Sequence, residues 1–166
     1  LLASALLALL VFNGILRWNT PSRSQYPIWG VDVSEYQGVI DWNALAGQDV
    51  RFAFIKASEG SSYIDPYFEM NRLGAQEAGV PAGAYQFFSF ESPGETQAAH
   101  FTALLDEEPG QLPPVVDVEL YGGFKRSPPA AEDVRRELEA LLAALEASTG
   151  QTPILYATGQ SYRLYL

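Results

Sequence analysis

Three observations predict an α/β fold with a mainly parallel sheet. From Ile28 onward, short apolar runs alternate with amphipathic stretches, the rhythm of βαβ units with right-handed crossovers. The apolar runs are near-continuous, as in strands covered on both faces. Polar side chains gather where those runs end: Asp32 and Ser34, Lys56 and Glu59, Gln86, Asp117 and Glu119. Open sheets and barrels of this class bind ligands beyond the carboxyl ends of their strands.

The elements follow in order. "IWGVDVS" (28–34) reads as a strand, and "IDWNALAG" (40–47) as a short helix with Asp41 as N-cap and Gly47 as stop. "VRFAFIKAS" (50–58) is a second strand. The helix predicted over 65–79 has Asp65 as N-cap, Pro66 at its first position and Gly79 as terminator. "PAGAYQFFSF" (81–90) is a third strand, followed by a helix over 92–108. "PPVVDVEL" (113–120) is a fourth strand, "AEDVRRELEALLAALEAS" (131–148) a long amphipathic helix, and "TPILYAT" (152–158) a fifth strand.

Composition narrows the function. With 166 residues the chain is long enough for one well-buried domain plus a tail. A net charge of −10 argues against nucleic acid, because phosphate binding needs a basic face. It also opposes electrostatic binding to anionic lipid. Cys is absent, which excludes disulfides and thiolate zinc sites.

The start of the chain differs from the rest. "LLASALLALLVFNGIL" is apolar up to Arg17, with Asn13 its one strongly polar member. A few more residues would bring the run to the roughly 20 that span a bilayer. Residues 1–18 therefore read as a signal peptide or membrane anchor, and an uncleaved anchor is expected because no small-x-small cleavage site follows. Residues 19–27 read as a linker and 28–166 as the folded domain.

The acids of "PVVDVE" (114–119) are the strongest chemical signal. Side chains on a strand alternate with period two, so Asp117 and Glu119 face the same way and Val118 faces the other. Two carboxylates in a partly desolvated cleft cannot both ionise freely, so one pKa rises and an acid coexists with a carboxylate. Glycoside hydrolysis needs that pair. A site for Mg²⁺ built from Asp32, Asp117 and Glu119, or surface acids that merely alternate, would give the same pattern. The single His, His100, lies on a predicted helix and reads as a surface or packing residue, which leaves no His-based triad.

From about Tyr26 to the end, the chain resembles the family-25 glycoside hydrolases, the Chalaropsis-type lysozymes or N-acetylmuramidases. The matching blocks are "GVDVSEYQGVIDW" (30–42), "FAFIKASEG" (52–60), "YIDPYFEMNRLGAQEAGV" (63–80), "GAYQFF" (83–88), "PPVVDVE" (113–119) and "PILYAT" (153–158), in family order and at family spacing. The hydrophobic start resembles the Gram-negative, membrane-anchored branch. The resemblance implies an irregular (β/α) barrel of the TIM-like type that cleaves the β-1,4 bond between N-acetylmuramic acid and N-acetylglucosamine in peptidoglycan. No cofactor or metal is expected, because oxygen ligands are few and a two-carboxylate mechanism is sufficient. By motif, Glu119 resembles the general acid. Asp117 resembles the partner that stabilises the oxazolinium or oxocarbenium-like species, and Asp32 the first-strand aspartate lining the same cleft. Tyr63, Tyr85 and Tyr156 are expected to contact sugar rings, with Glu59 and Gln86 completing the substrate-binding set. Gln86 stands where members of the family commonly have His.

Five predicted strands are fewer than the eight or so of a closed barrel, so the barrel is expected to be incomplete in this chain. The expected partner is peptidoglycan, met outside the inner membrane by an anchored or secreted protein. Two rivals remain: a wall-binding pseudoenzyme, and a metal-dependent hydrolase using the same acids, which a chelator would inactivate.

Overall fold

A computed structural model describes residue 22, residues 24–105 and residues 112–166. The expected anchor, residues 19–21 and 23 of the expected linker and the tail of the predicted 92–108 helix lie outside the described residues. Among the described residues, no helix is long and apolar enough to cross a membrane.

Five parallel strands form the sheet: β1 (Gly30–Val33), β2 (Phe52–Glu59), β4 (Ala82–Phe87), β5 (Val115–Val118) and β6 (Ile154–Ala157), side by side in the order β1-β2-β4-β5-β6. A two-residue strand, β3 (Tyr63–Ile64), folds back antiparallel on the end of β2. Between the strands run α1 (Trp42–Ala46), α2 (Phe68–Glu77), α3 (Gly94–Thr102) and α4 (Ala131–Thr149), and α5 (Gly159–Tyr165) closes the described chain. The expected strands and crossovers are all present. The β3 hairpin, α5 and two short 3₁₀ turns, Glu35–Gln37 and Gly122–Lys125, are additions, each too short to show a period in sequence.

The cap signals were partly misplaced. Asp41 accepts a hydrogen bond from the Ala44 N–H at 2.9 Å and starts α1 as expected. Asp65 instead serves two turns, accepting from the Tyr67 N–H at 2.9 Å and from the Glu35 N–H at 2.8 Å. Helix α2 therefore begins at Phe68, after the turn that Asp65 holds.

Strand register sorts side chains into two faces. Val33, Ile55, Ala84, Val116 and Val118 point to the helix layer, where they meet Ala75, Phe101, Leu138, Leu141 and Leu145, all buried. Burying a Leu or Phe in such a layer stabilises by about 1.5–3 kcal/mol each. Helices α3 and α4 approach closely at Gly94, where a Cβ would overlap the Glu137 carbonyl oxygen. The Gly94 N–H donates to the Glu137 carboxylate at 2.9 Å.

The other face carries the polar strand ends. Gly30, Asp32, Phe52, Phe54, Tyr85, Val115, Asp117, Ile154 and Tyr156, which come from all five parallel strands, border a single cleft. A flat sheet would spread these residues along a plane, so the sheet is curled into a half-barrel with β1 and β6 as its two edges.

Candidate active site

Lateral register stacks the inner face in layers. One row reads Lys56–Tyr85–Val115–Ile154, and the next Glu59–Phe87–Asp117–Tyr156. Asp32 on β1 is level with Phe54 on β2, and Glu119 lies one residue beyond the end of β5. The lower cleft is apolar, with Phe52, Phe54, Val115 and Ile154, and three carboxyl groups stand above it. Its volume is about 320 Å³, within the range of small-ligand sites.

Asp32, Asp117 and Glu119 thus come together in one cleft, as the sequence led us to expect, and Tyr85 and Tyr156 border it too. Burial, followed by the charges of Glu119 and Asp32, pushes the Asp117 carboxyl up to about 7, while the Lys56 ammonium pulls the other way. Its Oδ1 is buried and takes no hydrogen bond from the protein. The raised carboxyl is therefore Asp117, the expected partner, and it feels the charges of two other acids. Burial and then the Asp32 and Asp117 charges raise the Tyr85 phenol. Tyr156, 55% exposed, is raised by burial and then by Glu119, Asp117 and Asp32. Both phenols stay protonated at neutral pH and can donate.

Two expected site residues form a shoulder rather than the cleft wall. Glu59 accepts from the Lys56 ammonium at 2.9 Å. Tyr63 sits across from Glu59 in the β3 hairpin, and its phenol is pushed up to about 12, first by its hydrogen bond to Glu35 and then by burial and nearby acids. The Lys56 ammonium lies 5.5 Å from the centre of the Tyr63 ring and 5.3 Å from that of Phe87, within cation–π range.

Gln86 is a correction. It is fully buried and faces the helices, not the cleft. Its amide donates to Gly60 O at 3.3 Å and Gln97 Oε1 at 3.2 Å, and it accepts from Ser58 at 3.4 Å. Neighbours on a strand face opposite ways, so Tyr85 and Gln86 cannot both line the cleft. Sequence reading passed over Lys56 as a site residue, although its parity with Phe52 and Phe54 marks it. It is 5% exposed and acts on Asp117. Just after it the ladder shifts register, between Lys56 and Ser58. That irregularity returns Ser58 to the helix side and Glu59 to the inner face.

His100 is half-buried on α3, with Nε2 3.1 Å from Tyr63 O, away from the acids. Among the described residues, no group of three or more His, Cys, Asp or Glu side chains is arranged to hold a metal ion.

The geometry has close counterparts. Residues 31–165 match the family model described as "Glycosyl hydrolases family 25". The chain belongs to that family. It is 37% identical over 148 residues to the uncharacterized protein YegX of Escherichia coli K12, across 86% of this chain and 53% of YegX. It is 38% identical over 96 residues to lysozyme M1 of Streptomyces globisporus, across 55% of this chain and 33% of the relative. A family 25 glycosyl hydrolase from Bacillus anthracis superposes with a TM-score of 0.82 at 49% identity, across 84% of this chain and 64% of the other. The chain thus spans about half the length of YegX. The half-barrel is the family's irregular barrel in part.

Proposed function

We propose that this family 25 domain is a peptidoglycan hydrolase, a lysozyme that cleaves the β-1,4 bond between N-acetylmuramic acid and N-acetylglucosamine. The observation that carries this reading is the convergence of Asp32, Asp117 and Glu119 at the carboxyl ends of β1 and β5, above one cleft. Peptidoglycan is then the partner, and the cell envelope the place of action. Residues 1–18 hold the protein on the inner membrane, facing outward. Recovery of the mature protein free in the periplasm, beginning near Tyr26, would overturn that part.

The chemistry follows from what each group can do. Glu119 gives its proton to the glycosidic oxygen as the C1–O bond breaks. The acetamido oxygen of the muramic acid closes on C1, and the positive charge of the oxazolinium falls on its N–H. In this reading the N–H donates to Asp117, whose buried Oδ1 takes no hydrogen bond from the protein and must be ionised to stabilise the charge. Asp117 is raised to about 7, and the substrate N–H, as a donor to the charged form, favours ionisation. Glu119, now a base, takes a proton from water, which attacks C1 and reopens the ring with overall retention. Tyr156 packs against a pyranose face and Tyr85 donates to sugar oxygens, while Tyr63 and Glu59 hold the shoulder through Lys56.

Purified peptidoglycan digested with the full-length gene product, then borohydride-reduced and analysed by mass spectrometry, tests the reading. Muropeptides ending in reduced muramic acid are expected. Reduced glucosamine ends, or no soluble product, would contradict it.

A further inference from the structure

The β5 ladder ends at Val118, paired with Ala157, so Glu119 sits beyond the last rung. Leu120 anchors one side by burial in the helix layer. On the other side, Tyr121 is extended (φ −127°, ψ 164°), and period-two parity returns its side chain to the face of Asp117 and Glu119. Its ring meets Phe87 edge-on at 5.6 Å, stacks on Phe90 at 5.6 Å and meets Phe124 at 5.2 Å. Phe87 is the register partner of Asp117.

The phenol is fully engaged. Its oxygen accepts from the Phe90 N–H at 3.2 Å, lies 3.2 Å from Ser89 Oγ, and its proton reaches Glu91 at 3.4 Å. The loop it grips is itself fixed from below. Gln97, fully buried on α3, accepts from the Ser89 N–H at 3.0 Å and donates to Ser89 O at 2.8 Å and Ser92 O at 2.7 Å. Its Oε1 also takes the Gln86 amide described above, which ties the loop to the end of β2 through Gly60 O. Gly60 closes this corner with φ 57°, and its N–H donates to Phe87 O at 3.1 Å.

We propose that Tyr121 is a positioning residue for Glu119: its hydroxyl latches the chain just past the acid to a β4–α3 loop held rigid by the buried Gln86–Gln97 amide pair. Nothing in the D-x-E motif specifies this, and it explains why a chain with Gln at position 86 spends two buried amides behind the cleft. It rests on the proposed role of Glu119 in glycoside cleavage. A general acid works only when its proton is within reach of the leaving oxygen, and a displacement of about 1 Å costs roughly a hundredfold. The latch touches no substrate; it acts through the backbone.

The test is Tyr121→Phe in the full-length gene product, which keeps the ring stack and deletes only the hydroxyl. We expect kcat to fall about tenfold to a hundredfold with KM changed by less than about threefold. In a Glu119→Gln background the same change should cost less than about twofold, because the group it positions is gone. Wild-type kcat in Tyr121→Phe, an undiminished loss in the Glu119→Gln background, or a change confined to KM would overturn the proposal. Amide exchange of Phe90 without substrate separates this failure from failure of the lysozyme reading. Exchange about tenfold faster in Tyr121→Phe supports the latch even if the wild type turns over no peptidoglycan, and unchanged protection overturns it.

Discussion

At the scale of single residues, the Lys56 ammonium acts on Asp117 against the charges of Glu119 and Asp32. Asp117 is pushed up to about 7 by burial, Glu119 and Asp32, and held back by Lys56. Removing the ammonium in Lys56→Met should therefore move the Asp117 titration upward, and Asp32→Asn should move it downward, read by carbon NMR of the carboxyl. Either change in the opposite direction would show that other groups govern the pair. A sign for stability follows. Between about 4 and about 7, folded Asp117 keeps a proton that the unfolded chain has released, so stability falls as pH rises through that window and then levels. Asp117→Asn should thus raise the melting temperature relative to wild type more at pH 8 than at pH 4, though it removes a group the chemistry needs. Of these residues, the acids were legible because D-x-E and strand parity are local signals. Gln86 was not legible, because its place in a family motif suggests the cleft whereas strand parity turns it to the helices. Parity puts Lys56 on the cleft face, but nothing in sequence tells a buried lysine from one that snorkels to the surface.

At the scale of elements, helix packing behind the sheet fixes the loops that carry the site. Helix α3 must lie close enough to α4 for Gly94 to touch the Glu137 carbonyl, and its buried Gln97 then reaches the β4–α3 loop. Gly94→Ala should cost about 1–3 kcal/mol, as other overpacking substitutions do, seen as a lower denaturation midpoint. A midpoint equal to wild type would mean the two helices can part without cost. The five parallel strands and four crossover helices were legible from apolar runs and cap residues. The β3 hairpin was not, because two residues carry no period, yet it brings Tyr63 over Lys56. The register shift after Lys56 was equally silent, since bulges answer to the partner strand and not to local sequence.

At the scale of the whole molecule, the curl of the sheet makes the cleft and also leaves it open. Among the described residues β1 and β6 are the edges of the sheet, Ile154 on β6 is 42% exposed, and "PILYA" is a short β-prone run. Unpaired edges of this kind template self-association. Residues 26–166 expressed alone should therefore elute as soluble aggregate in size-exclusion chromatography and release no muropeptides, and a monodisperse, active preparation would mean that five strands suffice. The α/β class was readable from the alternation of elements, whereas the barrel curvature rested on likeness to the family, because curl is a property of the sheet and not of any one strand. The most direct test of the central claim is the turnover of purified peptidoglycan by the full-length gene product and by its Glu119→Gln variant, compared at equal folded concentration. Loss of the transferable proton should lower the rate at least about a hundredfold while leaving the fold intact; clearing at close to the wild-type rate would show that Glu119 is not the acid and that this cleft does not work as proposed.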